Sequence, residues 1–440
     1  MSLNIVVKNA RAVHSADIDL MGITVLSGIN GCGKSTISRS VYEILSAALN
    51  YNDFVDAYII SQYSQIGATF FSAIGNLSGL ISRQDFQKLN SSFLLFAIKE
   101  WQNTSIEFVR GELDSSVNSL KNYVVSLKNL VVPEKMNRYQ AFLSVIASIV
   151  EKTADDDLSE IFEAIHQKIE EISNSAIEFK SRRSLEILYS STRRNEWLNP
   201  RKFNLQENGV PVIDSETNRV LFLNSIKKVF YIDTPMAFGE QSSNKEYWNA
   251  LNTALKKGNF SKSMLEYPQD ETLGILNGSF DWESKRKNTL VYTLKNGVSF
   301  DLLKYGATGL KSFTMLQTLF REELIDETTL LILDEPEAHL HPQWIVHFAR
   351  FLVLLRKETG CNFLISSHST DMVASLHDIA TKELRNTPTF YLGQENKEDH
   401  LVYDFINCGS DIEPIFNTFN MSFELTNRFS SELNFIGNKD

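Results

Sequence analysis

Short apolar runs typical of buried strands alternate along the chain with segments whose apolar residues recur at helical spacing. Residues 23–26 form such a run, and residues 37–48 follow it with the helical period. Two more short apolar runs, 329–333 and 362–365, lie far along the chain, and each ends in polar residues. Strands that are apolar on both faces suit the centre of a parallel sheet, so the pattern predicts an α/β fold.

Roughly 250 residues lie between the first and the later of these strands, far more than a connection needs. Residues 117–127 and 158–172 repeat the helical period, the second segment behind Asp157 and Glu160, which are spaced as a capping box. Sustained heptads are not visible, so the pattern favours a compact helical lobe over a long coiled coil.

Strand-like patterns return after residue 220. They lie at residues 229–232, 278–282 and 289–300, and the last of these is interrupted by Asn296-Gly297, which predicts a type I′ hairpin turn. We therefore expect an antiparallel β-subdomain ahead of residue 301. We call the predicted α/β part of the chain the head. The predicted organisation is an N-terminal part of the head (1–50), a helical insertion lobe (51–215), a β-rich return segment of the head (216–300) and the C-terminal part of the head (301–440).

Composition narrows the class of protein. The 440 residues are 43% apolar and 22% charged, which is ordinary globular composition. Three widely spaced cysteines without a CxxC pair predict reduced thiols in a cytosolic protein and no zinc site. We expect neither a secretory leader nor a membrane span, because no apolar run is long enough. The net charge of −11 argues against general coating of nucleic acid, although a local basic patch can still bind it.

The first candidate site is the loop Gly-Ile-Asn-Gly-Cys-Gly-Lys-Ser-Thr at residues 28–36, between a predicted strand and a predicted helix. In this context a P-loop turns successive amide N–H groups toward a phosphate, and the helix N-terminus adds partial positive charge. Lys34 would meet the β- and γ-phosphates of a nucleotide, and Ser35 a magnesium ion. Cys32 is expected to act through its backbone amide. The predicted phosphate ligands are Asn30, Gly31, Cys32, Gly33, Lys34, Ser35 and Thr36.

Two carboxylates end the strand at 329–333 and predict the second half of this site. Asp334 would support the magnesium ion, and Glu335 would polarise the attacking water as general base. An acidic strand end that caps the next helix is the alternative for either residue alone. His368 ends the following strand, where it would contact the γ-phosphate and sense its loss.

A small-residue turn at 304–312 opens another predicted helix and forms a second candidate anion site. Because the chain has one P-loop, this second site suggests a head-to-tail homodimer or higher oligomer. Thr308 and Gly309 of one copy would then close in trans over the γ-phosphate that the other copy holds.

The motifs at 28–36, 307–312, 330–342 and 362–369 together resemble the ATP-binding-cassette superfamily in its SMC, RecF and OLD-like branch. The resemblance covers residues 1–50 and 300–375. It implies an ABC-type P-loop NTPase head that binds ATP and Mg²⁺, with a mixed sheet, an antiparallel β-subdomain and a large helical insertion. It also implies that residues 338–341 form the D-loop and that His368 is the switch histidine.

Two features depart from the family pattern. Leu310 stands where the signature has glycine or an acidic residue, which leaves a slow ATPase or a structural ATP clamp open. Gln241 is the best candidate for the Q-loop glutamine of the family. The alternative is that Gln241 is an ordinary residue of a solvated loop.

Within this branch the chain is similar to stand-alone bacterial anti-phage defence ATPases, such as those of the Septu and PARIS systems. The sequence of residues 334–342 supports the branch, and the segment 412–420 is similar to C-terminal segments of these defence ATPases. It implies a cytoplasmic sensor or regulator that controls a separately encoded effector nuclease of HNH or Toprim type, because the segment after His368 looks too short for a Toprim domain. A transporter cassette is disfavoured by the long insertion.

The alternative function is a DNA-repair ATPase of RecF or SMC type that binds DNA through the helical lobe. Its support is a segment rich in basic residues, which suits binding to the DNA backbone. An ordinary solvated surface accounts for these residues equally well. The basic residues are Lys180, Arg182, Arg183, Arg193, Arg194, Arg201 and Lys202.

Overall fold

The computed structural model describes residues 2–98, 101, 104–127, 132–185, 187, 203–214, 217–240, 245–257, 278–284 and 289–419. Its contacts divide the chain into two compact units. The head unit comprises Met1–Leu49 and Asn195–Asp440, and the helical unit comprises Asn50–Arg194. Among the described helices, none has the length and apolar character needed to cross a membrane.

The strands of the head unit follow short apolar segments. In chain order they are β1 (Leu3–Ala10), β2 (Val13–Asp19), β3 (Ile23–Ser27), β4 (Phe203–Glu207), β5 (Val210–Asp214), β6 (Arg219–Val220), β7 (Lys228–Ile232), β8 (Gly278–Ser284), β9 (Thr289–Leu294), β10 (Ser299–Asp301), β11 (Thr329–Asp334), β12 (Asn362–Ser367), β13 (Thr389–Glu395) and β14 (Tyr403–Gly409).

Helices connect these strands and form the helical unit. They are α1 (Lys34–Leu49), α2 (Tyr51–Ile74), α3 (Arg83–Ile98), α4 (Ile106–Leu127), α5 (Met136–Ser148), α6 (Leu158–Arg182), α7 (Glu246–Lys257), α8 (Leu302–Tyr305), α9 (Thr308–Arg321), α10 (Pro342–Thr359) and α11 (Thr370–Glu383). A further helical segment covers residues 413–419.

Within the described part of the chain, eleven strands form one mixed sheet in the order β6-β5-β4-β1-β2-β14-β13-β3-β12-β11-β7. The neighbours from β13 through β3, β12 and β11 to β7 are parallel, whereas those from β6 to β2 are antiparallel. Strands β3, β11 and β12 are buried along their whole length, as expected for central parallel strands. With the separate small antiparallel sheet β10-β9-β8 and the many helices, this confirms the predicted α/β fold class.

The sheets differ from the prediction in how some strands pair. The sequence pattern places residues 229–232 in the antiparallel subdomain, but β7 pairs parallel with β11 at the edge of the large sheet. Residues 203–214, assigned to the helical lobe, form β4 and β5 of the same sheet. A short apolar run indicates a strand but says nothing about its neighbour, which explains both differences.

The predicted type I′ turn is wrong in its type. Strands β9 and β10 do form an antiparallel hairpin, but Gly297 alone has a positive φ, +84°, and Asn296 does not. The amide of Gly297 donates to the carbonyl of Leu294, which in turn pairs through its own amide with Val298. This is a three-residue loop closed by a left-handed glycine, since a type I′ turn needs positive φ at both central residues.

The helical unit packs α2 against α3, α5 and α6. The rings of Phe70 and Phe93 stack at a centroid distance of 5.0 Å, and Gly67 faces Phe96 on the neighbouring helix.

Helix α6 begins at Leu158 as its period predicts, but the capping box does not form. The side chain of Asp157 makes no cap hydrogen bond, and Glu160 binds Lys152 at 3.0 Å instead.

Candidate nucleotide-binding site

The site lies at the carboxyl ends of the parallel strands. Strand β12 pairs with β3 on one side and with β11 on the other, so the segments that follow all three strands meet at one edge of the sheet. Ligands of open α/β sheets bind at this edge. The loop 28–36 follows β3, the carboxylates follow β11, and His368 follows β12.

The phosphate loop is shaped by a close approach at Gly33. This residue has φ of +105°, and a Cβ atom there would lie 2.4 Å from Cγ2 of Val13. Its carbonyl accepts a hydrogen bond from the amide of Ile37 at 3.0 Å, which starts α1. Only glycine fits a left-handed backbone pressed against a neighbouring strand.

Lys34 is buried, with 4% of its surface exposed. Its ammonium group donates to the carbonyls of Gly28 and Ile29, at 3.0 and 3.1 Å. Two carbonyl groups at the start of the loop thus hold the ammonium group. Its positive charge lies in the same loop as the amides that a phosphate would meet.

Cys32 contributes packing in addition to its amide. Its side chain is fully buried, and a Cβ atom placed on either Gly28 or Gly393 would come within 2.9 Å of its Sγ. Burial raises the pKa of the Cys32 thiol, which opposes formation of a reactive thiolate. The side chain therefore fixes the loop against β13.

Ser35 and Asp334 join the two halves of the site. The Ser35 hydroxyl donates to Oδ1 of Asp334 at 3.1 Å, and the Tyr231 hydroxyl donates to Oδ2 at 2.9 Å. Burial raises the pKa of Asp334, while these two hydrogen bonds act in the opposite direction. Mg²⁺ prefers oxygen ligands, so Ser35 and Asp334 form a donor set that could hold this ion.

Glu335 and His368 are brought together as well. Glu335 has a left-handed backbone, φ +49°, and its amide donates to the carbonyl of Ser366 at 2.9 Å. Its carboxylate is 39% exposed and lies 3.2 Å from Nδ1 of His368. Glu337 lies behind the histidine, with Oε1 at 3.6 Å from the same nitrogen.

The second predicted anion site begins α9. Ala307 precedes this helix without a side-chain cap, and Thr308 and Gly309 are its first residues. Gly309 packs against Leu340 and Trp344 of the same chain. Thr308 and Gly309 therefore lie where α9 packs against the start of α10, with Gly309 buried in that contact, rather than in the group formed by Ser35 and Asp334.

Sequence reasoning missed several residues that shape the site. The sequence pattern assigns no role to Tyr231, which donates to Asp334, or to Glu337, which accepts from Ser367. Lys311 lies within the predicted anion site at 304–312, but its buried ammonium group donates to the carbonyl of Leu303. Gln241, the candidate Q-loop residue, lies outside the described residues.

A phosphate-type loop between a strand and a helix, joined to a carboxylate at the end of a neighbouring parallel strand, defines a P-loop nucleotide-binding domain. The chain belongs to the family described as AAA ATPase domain, which matches residues 1–373. This confirms the coarser prediction of an ATPase domain. No curated protein matches the chain.

The solved structures that match the chain include SMC heads. The Smc head domain of Pyrococcus furiosus, with an extended coiled coil and bound to the C-terminal domain of ScpA, has 12% identity and a TM-score of 0.31, covering 96% of this chain and 98% of that one. The Thermotoga maritima SMC head has 15% identity and a TM-score of 0.25, with coverages of 47% and 64%. The Pyrococcus yayanosii Smc head has 13% identity and a TM-score of 0.27, with coverages of 88% and 64%.

Proposed function

We propose that the head unit binds and hydrolyses ATP with Mg²⁺. The observation that carries the proposal is the 3.1 Å hydrogen bond from Ser35 to Asp334. It unites the loop that cradles phosphate with the carboxylate that ends β11, as a magnesium-dependent phosphoryl-transfer site requires. When bound, the ion would neutralise charge on the β- and γ-phosphates.

Each residue then has a role that its surroundings support. The amides of Asn30–Thr36 and the buried ammonium of Lys34 bind the phosphates, while Ser35 and Asp334 hold the ion. Glu335 is the general base, because its half-exposed carboxylate can reach a water molecule. His368, beside Glu335, contacts the γ-phosphate and reports its loss.

We further propose that ATP drives head-to-tail assembly of two or more copies. The first turn of α9 supports this, because its leading amides have no side-chain cap and a helix N-terminus favours an anion. Tyr305, next to this turn, is 75% exposed. Thr308 and Gly309 of one copy would complete the γ-phosphate site of the other.

The biological role proposed for this ATPase is that of a cytoplasmic sensor in a bacterial anti-phage system, of the kind found in Septu and PARIS, which controls a separate nuclease of HNH or Toprim type. Its support is the amino-acid sequence of residues 334–342 and 412–420. A DNA-repair ATPase is the alternative. In the helical unit Lys180 pairs with Asp56, Arg182 pairs with Glu178, and Arg183 stacks on Tyr51, so these cations already have protein partners.

The test compares wild type with Glu335→Gln, using exposed Glu358→Gln as the matched control. We expect Glu335→Gln to keep ATP affinity and to lower kcat by about 10²–10⁴-fold, the usual contribution of a general base. Glu358→Gln should behave as wild type. Equal turnover in Glu335→Gln and wild type would contradict the assignment.

The same Glu335→Gln variant tests assembly, since ATP bound without turnover should accumulate the oligomer. Light scattering with and without ATP should show a mass increase that Thr308→Glu abolishes while ATP binding persists, because an acidic side chain at the start of α9 is compatible with the helix but repels a phosphate. A Glu335→Gln protein that stays monomeric with ATP bound would count against the composite site. Co-purification then separates the biological roles: an associated nuclease supports the defence role, and DNA alone supports repair.

A further inference from the structure

Glu337 occupies a buried position beneath the end of β12. Only 6% of its surface is exposed. Its Oε1 accepts hydrogen bonds from the Ser367 hydroxyl at 2.8 Å and from the backbone amide of His368 at 3.0 Å. One carboxyl oxygen thus ties the turn after β11 to the residue that follows β12.

The other oxygen of this carboxyl group is different. Glu337 Oε2 is buried and has no hydrogen-bond partner among the residues that the structure describes. Burial also raises the pKa of Glu337, against the hydrogen bonds from Ser367 and His368. A buried, incompletely paired polar group costs free energy. Space filling alone therefore does not account for a carboxyl group at this position.

The imidazole of His368 lies between two carboxyl groups. Its Nδ1 is 3.2 Å from Oε1 of Glu335 and 3.6 Å from Oε1 of Glu337. A Glu335 carboxylate engaged by the histidine is less available to accept a proton from water. Because Glu337 Oε1 lies near the same nitrogen, a small turn of the imidazole away from Glu335 would exchange one acceptor for the other.

We propose that Glu337 is a positioning residue that anchors the backbone of His368 and offers its imidazole a second acceptor, so that Glu335 is released to act on water. The proposal rests on the ATPase function proposed above. It assigns no proton transfer to Glu337, because that carboxyl is buried whereas Glu335 is 39% exposed.

Two substitutions separate hydrogen bonding from space filling. Glu337→Gln keeps an acceptor oxygen for Ser367 and His368, whereas Glu337→Leu keeps similar volume and removes the acceptor. We expect Glu337→Gln to stay within about threefold of wild type and Glu337→Leu to lose about tenfold or more in kcat. The KM for ATP should change little in both, because Lys34 and Ser35 are untouched.

A second readout needs no turnover. In nucleotide-free protein labelled with ¹⁵N-histidine, the His368 ring signals are identified by their loss in His368→Ala. We expect Glu337→Leu to shift these signals and Glu337→Gln to leave them close to wild type. Ser367→Ala, which removes one donor to Glu337, should give an intermediate shift and serves if Glu337→Leu does not fold.

The outcomes distinguish the two proposals. Glu337→Leu with wild-type kcat, or with unshifted His368 signals, would overturn the positioning role, as would unshifted signals in Ser367→Ala. If wild type does not turn over ATP, or if Glu335→Gln does not lower the turnover, the ATPase proposal is overturned instead. In that case the ring signals of the nucleotide-free variants still decide whether Glu337 positions His368.

Discussion

The hydroxyl of Ser35 donates a hydrogen bond to Asp334, although 299 positions separate the two residues. Strand β12 lies between β3, which leads into the loop before Ser35, and β11, which ends at Asp334. The hydroxyls of Ser38 on α1 and Ser366 on β12 also share a hydrogen bond, at 2.5 Å. The two halves of the candidate site are therefore joined by the protein itself. A nucleotide would bind to an assembled site rather than assemble it, which lowers the ordering cost of binding.

Substitutions around Asp334 should change Mg²⁺ dependence by different amounts. Asp334→Asn removes a proposed metal ligand, whereas Tyr231→Phe removes only the hydroxyl that holds the other carboxylate oxygen. We expect Tyr231→Phe to weaken the apparent Mg²⁺ affinity by about tenfold and Asp334→Asn by more than about 100-fold. Binding of fluorescent ATP, titrated with Mg²⁺ and repeated in chelator, measures both.

Tyr123→Phe, in the helical unit, is the matched control for loss of a tyrosine hydroxyl, since Tyr123 donates to Asp85. It should leave the Mg²⁺ titration unchanged. Binding that is equally tight in chelator and in Mg²⁺ for wild type would contradict a magnesium site at Ser35 and Asp334.

The phosphate loop offers a comparison between two glycines. An alanine at Gly33 would meet Val13 at 2.4 Å, whereas an alanine at Gly31, also left-handed at φ +86°, would meet nothing within 4 Å. Both substitutions cost backbone strain of about 1 kcal/mol, and Gly33→Ala adds a steric overlap. ATP affinity should therefore fall further in Gly33→Ala, by about tenfold or more relative to Gly31→Ala.

The overlap can be tested by a double-mutant cycle. Val13→Ala removes the Cγ2 atom that a new Cβ would meet, so Gly33→Ala should cost less in that background. Gly31→Ala should cost the same with either residue at position 13. Equal ATP affinity for Gly31→Ala and Gly33→Ala would show that the approach of Val13 does not shape the loop.

Much of the site was predictable because its residues are adjacent along the chain. The loop 28–36 and the pair Asp334-Glu335 follow apolar strands, and the rule that parallel strands end at one edge brings them together. The partners within the site were not predictable, because Tyr231 and Glu337 act through hydrogen bonds to residues 103 and about 30 positions away. A sequence pattern reports the period of an element but not its neighbour.

Glu207 should make stability depend on pH. Burial alone would raise its pKa, but hydrogen bonds from Ser225 and Asn224 outweigh it and lower the pKa below its ordinary value. Its stabilisation is fully present above the pKa of the unfolded chain and is lost as pH falls through the lower pKa of the folded state. Glu207→Gln should therefore cost about 1–3 kcal/mol at neutral pH and less near about pH 4, where the loss of this stabilisation has begun.

Denaturant unfolding of wild type and Glu207→Gln at both pH values measures this difference, with exposed Glu358→Gln as the control. The control should change stability little at either pH. A cost of Glu207→Gln that is the same at both pH values would mean that shape, not charge, accounts for the role of Glu207.

Two mid-helix glycines of the helical unit should respond to alanine in opposite directions. Gly67 lies on α2, where a Cβ atom would come 2.3 Å from Cγ of Phe96 on α3, whereas Gly111 on α4 faces open space. Gly111→Ala should stabilise the protein by roughly 0.5–1 kcal/mol, because alanine loses less backbone entropy in a helix. Gly67→Ala should instead destabilise it by about 1–3 kcal/mol, since α2 and α3 must move apart. Thermal unfolding of the full chain measures both, and a gain in Gly67→Ala would disprove the close packing of these helices.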